Sequence, residues 1–208
     1  MSRGIFITFE GSDGCGKSTQ IKKLAEYLTS QGKEVVVTRE PGGTDISEQI
    51  RGIILDPNNK EEGPVTEMML YAAARAQIVS ELIKPSIEEG KIVLCDRFVD
   101  SSIAYQAYGR GLGDQVKIVN SYALQGLLPD VTFFLDITAE EGRKRNKNTD
   151  KNDRMEQEAI EFHQRVYEGY KKIAEDNKDR VVVINASKNI EEVFEEIKKV
   201  YDTKFNSK

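Results

Sequence analysis

The chain has 208 residues, 31% charged and 38% apolar, with a formal net charge of −5. That size and balance suit one globular domain over 1–208, large enough to need no disulfide staples, and argue against disorder or a fibrous repeat. No apolar run approaches the roughly 18 residues that cross a bilayer, and the acidic balance argues against a nucleic-acid partner.

In chain order, IFITF (5–9) is a compact apolar strand ending at Gly11, too short for a secretory signal. Residues 17–31 carry Ile21, Leu24, Ala25 and Leu28 at helical spacing before Gly32. EVVVT (34–38) is a second strand, followed by helical patterns over 44–55 and 65–89. KIVLC (91–95) is the third strand, and a helix over 114–127 leads to the fourth, VTFFLD (131–136). Thr138 with Glu141 three residues on is a capping-box signature for a further helix. Helices over 154–177 and 189–205 flank the fifth strand, VVVIN (181–185). Unbroken apolar strands separated by helices predict an α/β domain, a five-stranded parallel sheet with helices on both faces. One segment breaks the composition: 143–154 (RKRNKNTDKNDR) is almost wholly polar and reads as a mobile surface loop. Two cysteines, Cys15 and Cys95, are too few for a disulfide framework, so a cytoplasmic chain with no membrane partner is expected.

Between the first strand and the first helix the sequence reads GSDGCGKS (11–18), matching G-x-x-x-x-G-K-[ST] in the strand–loop–helix context that motif requires. Gly11, Gly14 and Gly16 let the loop through Ser12, Asp13 and Cys15 turn its N–H groups inward on phosphate, and the helix opening with Lys17, Ser18 and Thr19 adds its positive end. Lys17 is suited to neutralise the β- and γ-phosphates of ATP, and the Ser18 hydroxyl to bind Mg²⁺. Asp96, directly after the third strand, is the carboxylate expected to hold the same ion, directly or through water.

A phosphate loop does not say what the nucleotide is used for. A GTPase would carry N-K-x-D after a strand, but NKNT (146–149) and NKDR (177–180) lack the final Asp. The chain is also short for an ATP-driven motor. A small-molecule kinase must hold two polyanions in line, about six negative charges together, so it needs local cations. Arg39 and Arg97 fall beside the carboxyl edge of the sheet, where α/β ligands bind. For Arg51 and Arg75, on the adjoining helices, the pattern leaves binding and solvated surface both open.

LCDRFVDSSIAYQ (94–106) resembles the signature of thymidylate kinases, and TREPGGT (38–44) and residues 9–19 resemble the second-strand and phosphate loops of bacterial members. The likeness runs from residue 6 to about 201. It implies Mg²⁺-dependent phosphate transfer from ATP to dTMP, giving dTDP, on a core similar to adenylate kinase and in a homodimer. Residue by residue, it implies that Asp13 bonds the sugar 3′-hydroxyl and that Arg39, Arg51 and Arg97 surround the acceptor phosphate. Arg97 would also bridge toward the transferred group. Tyr71 stands where an aromatic, usually Phe, stacks on thymine; Arg75 and Gln106 would bond the base's polar edge. Ser102 and Tyr105 would line the sugar, Tyr105 crowding a 2′-hydroxyl.

Some members carry an arginine inside the phosphate loop, where this chain has Gly14. In the branch it resembles, that cation comes from the lid, here 143–154, with Arg143 first in line and Arg145 and Arg154 behind it. His163 reads as structural, Cys15 as no nucleophile because direct transfer needs no covalent step, and NASK (185–188) as an adenine contact. Two alternatives are a kinase for another monophosphate, such as dUMP or dCMP, and a regulatory protein that binds nucleotide without transferring phosphate. The arginine set and the Tyr105–Gln106 pair disfavour the second.

Overall fold

The computed structural model describes residues 3–146 and 154–206, so most of the lid expected over 143–154 lies outside the described residues. Five strands, β1 (Ile5–Glu10), β2 (Val35–Arg39), β3 (Ile92–Asp96), β4 (Val131–Asp136) and β5 (Val181–Asn185), form a parallel sheet in the order β2-β3-β1-β4-β5. Their apolar runs are continuous because both faces are covered. Ile7, Phe9, Leu94 and Phe133 pack with Leu24 and Leu28 of α1 (Lys17–Ser30) and with Ile197 and Tyr201 of α9 (Ile190–Tyr201). Their strand neighbours Phe6, Val93 and Cys95 turn the other way, onto Ile78, Val79, Ile83 and Ile87. On the same side Phe134 and Val181 meet Phe162, Val166 and Tyr170 of α8 (Ile160–Asp176). The chain leaves β1 toward β2 on one side and β3 toward β4 on the other, which opens a crevice beyond the carboxyl ends of β1 and β3.

The helices follow the sequence with instructive exceptions. After α2 (Asp45–Leu55), the pattern over 65–89 is one run: α3 (Pro64–Ile78), a π-helical turn over Val79–Ile83, and α4 (Lys84–Glu88). The wider turn falls just ahead of Pro85, whose ring removes an N–H from the helical ladder. Residues 99–109, which periodicity did not single out, are helical: α5 (Val99–Ser102) passes into a π-helical stretch, Ile103–Gly109, before α6 (Gln115–Ala123). The helix expected from 154 starts only at Ile160, because residues ahead of it form turns, with Glu158 N–H bonded to the Met155 carbonyl. The capping box is present: Glu141 N–H donates to Thr138 Oγ1 at 3.2 Å, opening α7 (Ala139–Asn146).

Helix α7 sits directly on the loop after β1. A Cβ on Gly142 would press into the Asp13 carbonyl oxygen, and one on Gly14, at φ +78°, into the Gly142 carbonyl oxygen. This contact excludes any side chain at position 14.

Candidate active site

The crevice is a cleft of about 490 Å³ between the phosphate loop and the helices α2, α3 and 99–109. On the loop side, Lys17 is buried, its Nζ donating to the carbonyls of Gly11 at 3.1 Å and Ser12 at 3.3 Å. Gly14, Gly16, Lys17, Ser18 and Thr19 line the cleft, whereas Gly11 and Ser12 stand behind it and Cys15 turns into the core. Burial pushes the Cys15 thiol up, which removes the thiolate a nucleophile needs. The Ser18 hydroxyl donates to Asp96 Oδ2 at 3.0 Å. A hydroxyl and a carboxylate in contact beside a phosphate loop fit Mg²⁺, which takes one or two protein oxygens and completes its shell with water and phosphate. Among the described residues no cluster of three or more His, Cys, Asp or Glu could hold a metal without such help.

Arg97 joins the two halves of the cleft. It follows β3 at φ +68°, a left-handed conformation costing about 1–2 kcal/mol for a residue with a Cβ. Its own N–H donates to the Phe9 carbonyl at 2.9 Å, which ties the turn to β1. The guanidinium then reaches Asp13 Oδ1 at 2.6 Å and Tyr170 Oη at 3.0 Å, and lies 5.2 Å from the Tyr105 ring centre. Burial alone would raise the Asp13 carboxyl, but Arg97 and Lys17 outweigh it and hold the group well below the usual carboxylate range. Behind this loop Glu10 accepts from Phe98 N–H at 2.7 Å, Ser101 Oγ at 2.6 Å and Tyr170 Oη at 3.1 Å. Burial first, and the Asp100 charge second, push the Glu10 carboxyl up to about 7.

The far half of the cleft is lined by Arg39, Arg51, Tyr71, Arg75, Tyr105 and Gln106. Arg39 pairs with Glu48 at 2.8 Å and remains half exposed, while Arg51 donates to the Pro41 carbonyl at 2.7 Å. Arg75 is anchored instead of free: only 1% exposed, it donates twice to Glu40 Oε2, at 2.6 and 2.9 Å, and to the Phe98 carbonyl at 3.0 Å. It also donates to Asn120 Oδ1, and to Ser102 Oγ at 2.9 Å. Ser102, 2% exposed, therefore stands behind Arg75 and outside the cleft lining.

The three lid arginines separate. Arg143 is exposed on α7 and outside the cleft lining. Arg145 donates to the Ala186 carbonyl at 2.9 Å, joining α7 to NASK (185–188). Arg154 pairs instead with the buried carboxylates of Glu62 at 2.7 Å and Glu67 at 2.8 Å, which require a cation. His163 packs edge-on against Phe162 at 5.5 Å, and burial lowers its pKa. Sequence reasoning missed the carboxylates that hold the arginines. Glu10 and Glu40 lie inside stretches it did single out, 9–19 and 38–44, whereas Glu67, like the phenol of Tyr170, carries no local signal.

A loop built for one polyphosphate faces a wall of arginines suited to a second phosphorylated ligand, the arrangement of a P-loop nucleoside monophosphate kinase. The comparisons with known proteins narrow this class. The family model for thymidylate kinase matches residues 9–197. The thymidylate kinase of Thermoanaerobacter sp. (strain X514) is 54% identical over 196 residues, spanning 94% of this chain and 96% of the relative. That of Lactobacillus acidophilus is 53% identical over 199 residues, 94% of this chain and 92% of the relative. The crystal structure of thymidylate kinase from Ehrlichia chaffeensis superposes with a TM-score of 0.78 at 36% identity, covering 96% of this chain and 99% of that one. The chain belongs to the thymidylate kinase family, which phosphorylates dTMP to dTDP using ATP.

The Glu10 carboxyl supplies a pH test. With its pKa raised from an ordinary 4.5 to about 7, the folded state favours the protonated form. Its contribution to stability is complete below pH 4.5 and is lost as the pH rises through about 7. Melting temperatures of the wild type should fall across that window, and those of Glu10→Gln should fall less steeply. Equal slopes would contradict the assignment.

Proposed function

We propose that the cleft passes the γ-phosphate of ATP in line to the phosphate of dTMP, with Mg²⁺ held at Ser18 and Asp96. The contact that supports this most is Arg97 on Asp13, a cation at the border between the phosphate loop and the arginine-lined half of the cleft. Lys17 and the loop N–H groups from Gly11 to Thr19 hold the β- and γ-phosphates. When bound, Mg²⁺ offsets charge on the phosphate oxygens. Arg39, Arg51 and Arg97 draw in the acceptor phosphate, with Arg97 shared between acceptor and transferred group. An acceptor phosphate oxygen is already ionised at neutral pH, so no side chain has to act as a base. Asp13 accepts from the sugar 3′-hydroxyl, Tyr105 crowds the 2′ position, and Tyr71 stacks on thymine. Arg75, immobilised by Glu40, and Gln106 face the polar edge of the base; Ser102 contributes by holding Arg75.

The donor-side cation comes from α7. Position 14 has no room for a side chain, because α7, the helix that carries Arg143, packs on the loop there. Arg143 closes on them during transfer and excludes water, which protects ATP from hydrolysis.

The working unit is a homodimer. Exposed apolar residues stand one turn apart on α3 (Val65 and Met69) and on α6 (Ile118 and Tyr122, the latter 80% exposed), and α3 packs beside both α2 and α6. Cys15 and Cys95 are buried and unpaired, which suits a reducing compartment, and we assign the chain to the cytoplasm. Secretion of the native protein would contradict that assignment.

Lys17→Ala should keep the wild-type melting behaviour and lose roughly 10³-fold or more in turnover. In the same assay Arg143→Ala should lose roughly 10²-fold or more, while dTMP affinity stays within a few-fold of normal. Near-normal turnover in either variant would refute the role given to that residue. Light scattering after size exclusion should give twice the 23.4 kDa chain mass, and Tyr122→Glu should shift it toward the monomer. A monomeric wild type would refute the dimer.

A further inference from the structure

Two buried side-chain oxygens on the cleft wall have no hydrogen-bond partner among the described residues: Glu40 Oε1 and Gln106 Oε1. The first belongs to a carboxylate already bound to Arg75 through its other oxygen. The second is the whole acceptor group of a side chain that is 1% exposed. An amide has two ends of nearly equal shape, so a neighbour has to decide which end is offered to the cleft. That neighbour is Glu67.

Gln106 Nε2 donates to Glu67 Oε1 at 2.9 Å, and Glu67 is fully buried. Its other bonds come from Arg110, at 2.8 Å to Oε2, and from Arg154, also at 2.8 Å. Burial pushes the Glu67 carboxyl up, but Arg110, Gln106 and Arg154 outweigh it and hold the group below the ordinary value. An ionised carboxylate only accepts, so it binds the NH₂ end of the amide and repels the oxygen. Arg110 is itself tied to Glu158 at 2.6 Å and Arg154 to Glu62 at 2.7 Å, so Glu67 cannot swing away.

We propose that Glu67, which touches no substrate, is the positioning residue that makes Gln106 present an acceptor to the base. The pocket then favours a base with a ring N–H, such as the N3–H of thymine, over one with a bare ring nitrogen, such as the N3 of cytosine. This rests on the assignment of Gln106 to the base subsite.

The test compares kcat/KM for dTMP and dCMP in the full-length enzyme, Glu67→Gln, Gln106→Leu and the double variant, with KM for ATP measured alongside. Glu67→Gln should lower the dTMP-to-dCMP ratio about tenfold or more, mainly through KM for dTMP, and leave KM for ATP within about twofold. In the Gln106→Leu background it should add nothing. A ratio that falls in Gln106→Leu but not in Glu67→Gln overturns the positioning role and leaves the base subsite standing. A ratio unchanged in Gln106→Leu overturns both. Equal losses on dTMP and dCMP, additive with Gln106→Leu, mark a structural residue and also overturn the inference. If Glu67→Gln does not fold, Glu67→Asp replaces it: the charge remains for the arginines but falls one methylene short of Gln106, and the same loss of discrimination is expected.

Discussion

Arg97 reaches Asp13 only because the turn after β3 is held left-handed, and that turn is fixed by a buried carboxylate. Glu10 binds the Phe98 N–H, Ser101 and Tyr170, and these last two in turn hold the Arg97 guanidinium. The arrangement answers a constraint: a chain of net charge −5 has to gather several cations in one cleft and hold them apart. The same device recurs under Arg75, where Glu40 is the anchor, and under Arg110 and Arg154, where Glu67 is. Magnitudes separate these pairs from the surface ones. An exposed pair such as Lys22–Glu26 contributes about 0–1 kcal/mol, whereas removing one partner of a buried pair costs about 3–5 kcal/mol. The buried pairs therefore fix their cations in place before any ligand arrives, which is what electrostatic preorganisation requires.

The sheet supplies the frame for this network. With β1 between β3 and β4, the ends of β1 and β3 lie side by side, and Ser18 meets Asp96 across the gap. A contact between two glycines, Gly14 and Gly142, seats α7 on the phosphate loop. Bringing a helix so close leaves no room for an arginine at position 14.

Much of this was legible because the signals are local. The five strands, the phosphate loop, the Thr138–Glu141 cap and the acid at the end of β3 each depend on neighbours within a few residues. The partners that anchor the site do not. Glu10 and Tyr170 are 160 positions apart, and Arg154 and Glu67 are 87 apart, and no local periodicity encodes either contact. For the same reason the pairing of Arg154 with Glu67 and of Ser102 with Arg75 had no local signal in the sequence. The helical stretch 99–109 escaped notice because its buried face, with Ser101, Ser102 and Gln106, is lined partly by polar residues that serve the network.

The geometry of Arg97, and not merely its charge, joins the two halves of the cleft. Single-turnover transfer from saturating ATP to saturating dTMP in Arg97→Lys tests it, because lysine keeps the charge and loses the planar fork that spans Asp13 and Tyr170. The transfer rate should fall by roughly 10²-fold or more with ATP affinity nearly unchanged. A rate within a few-fold of the wild type would contradict it.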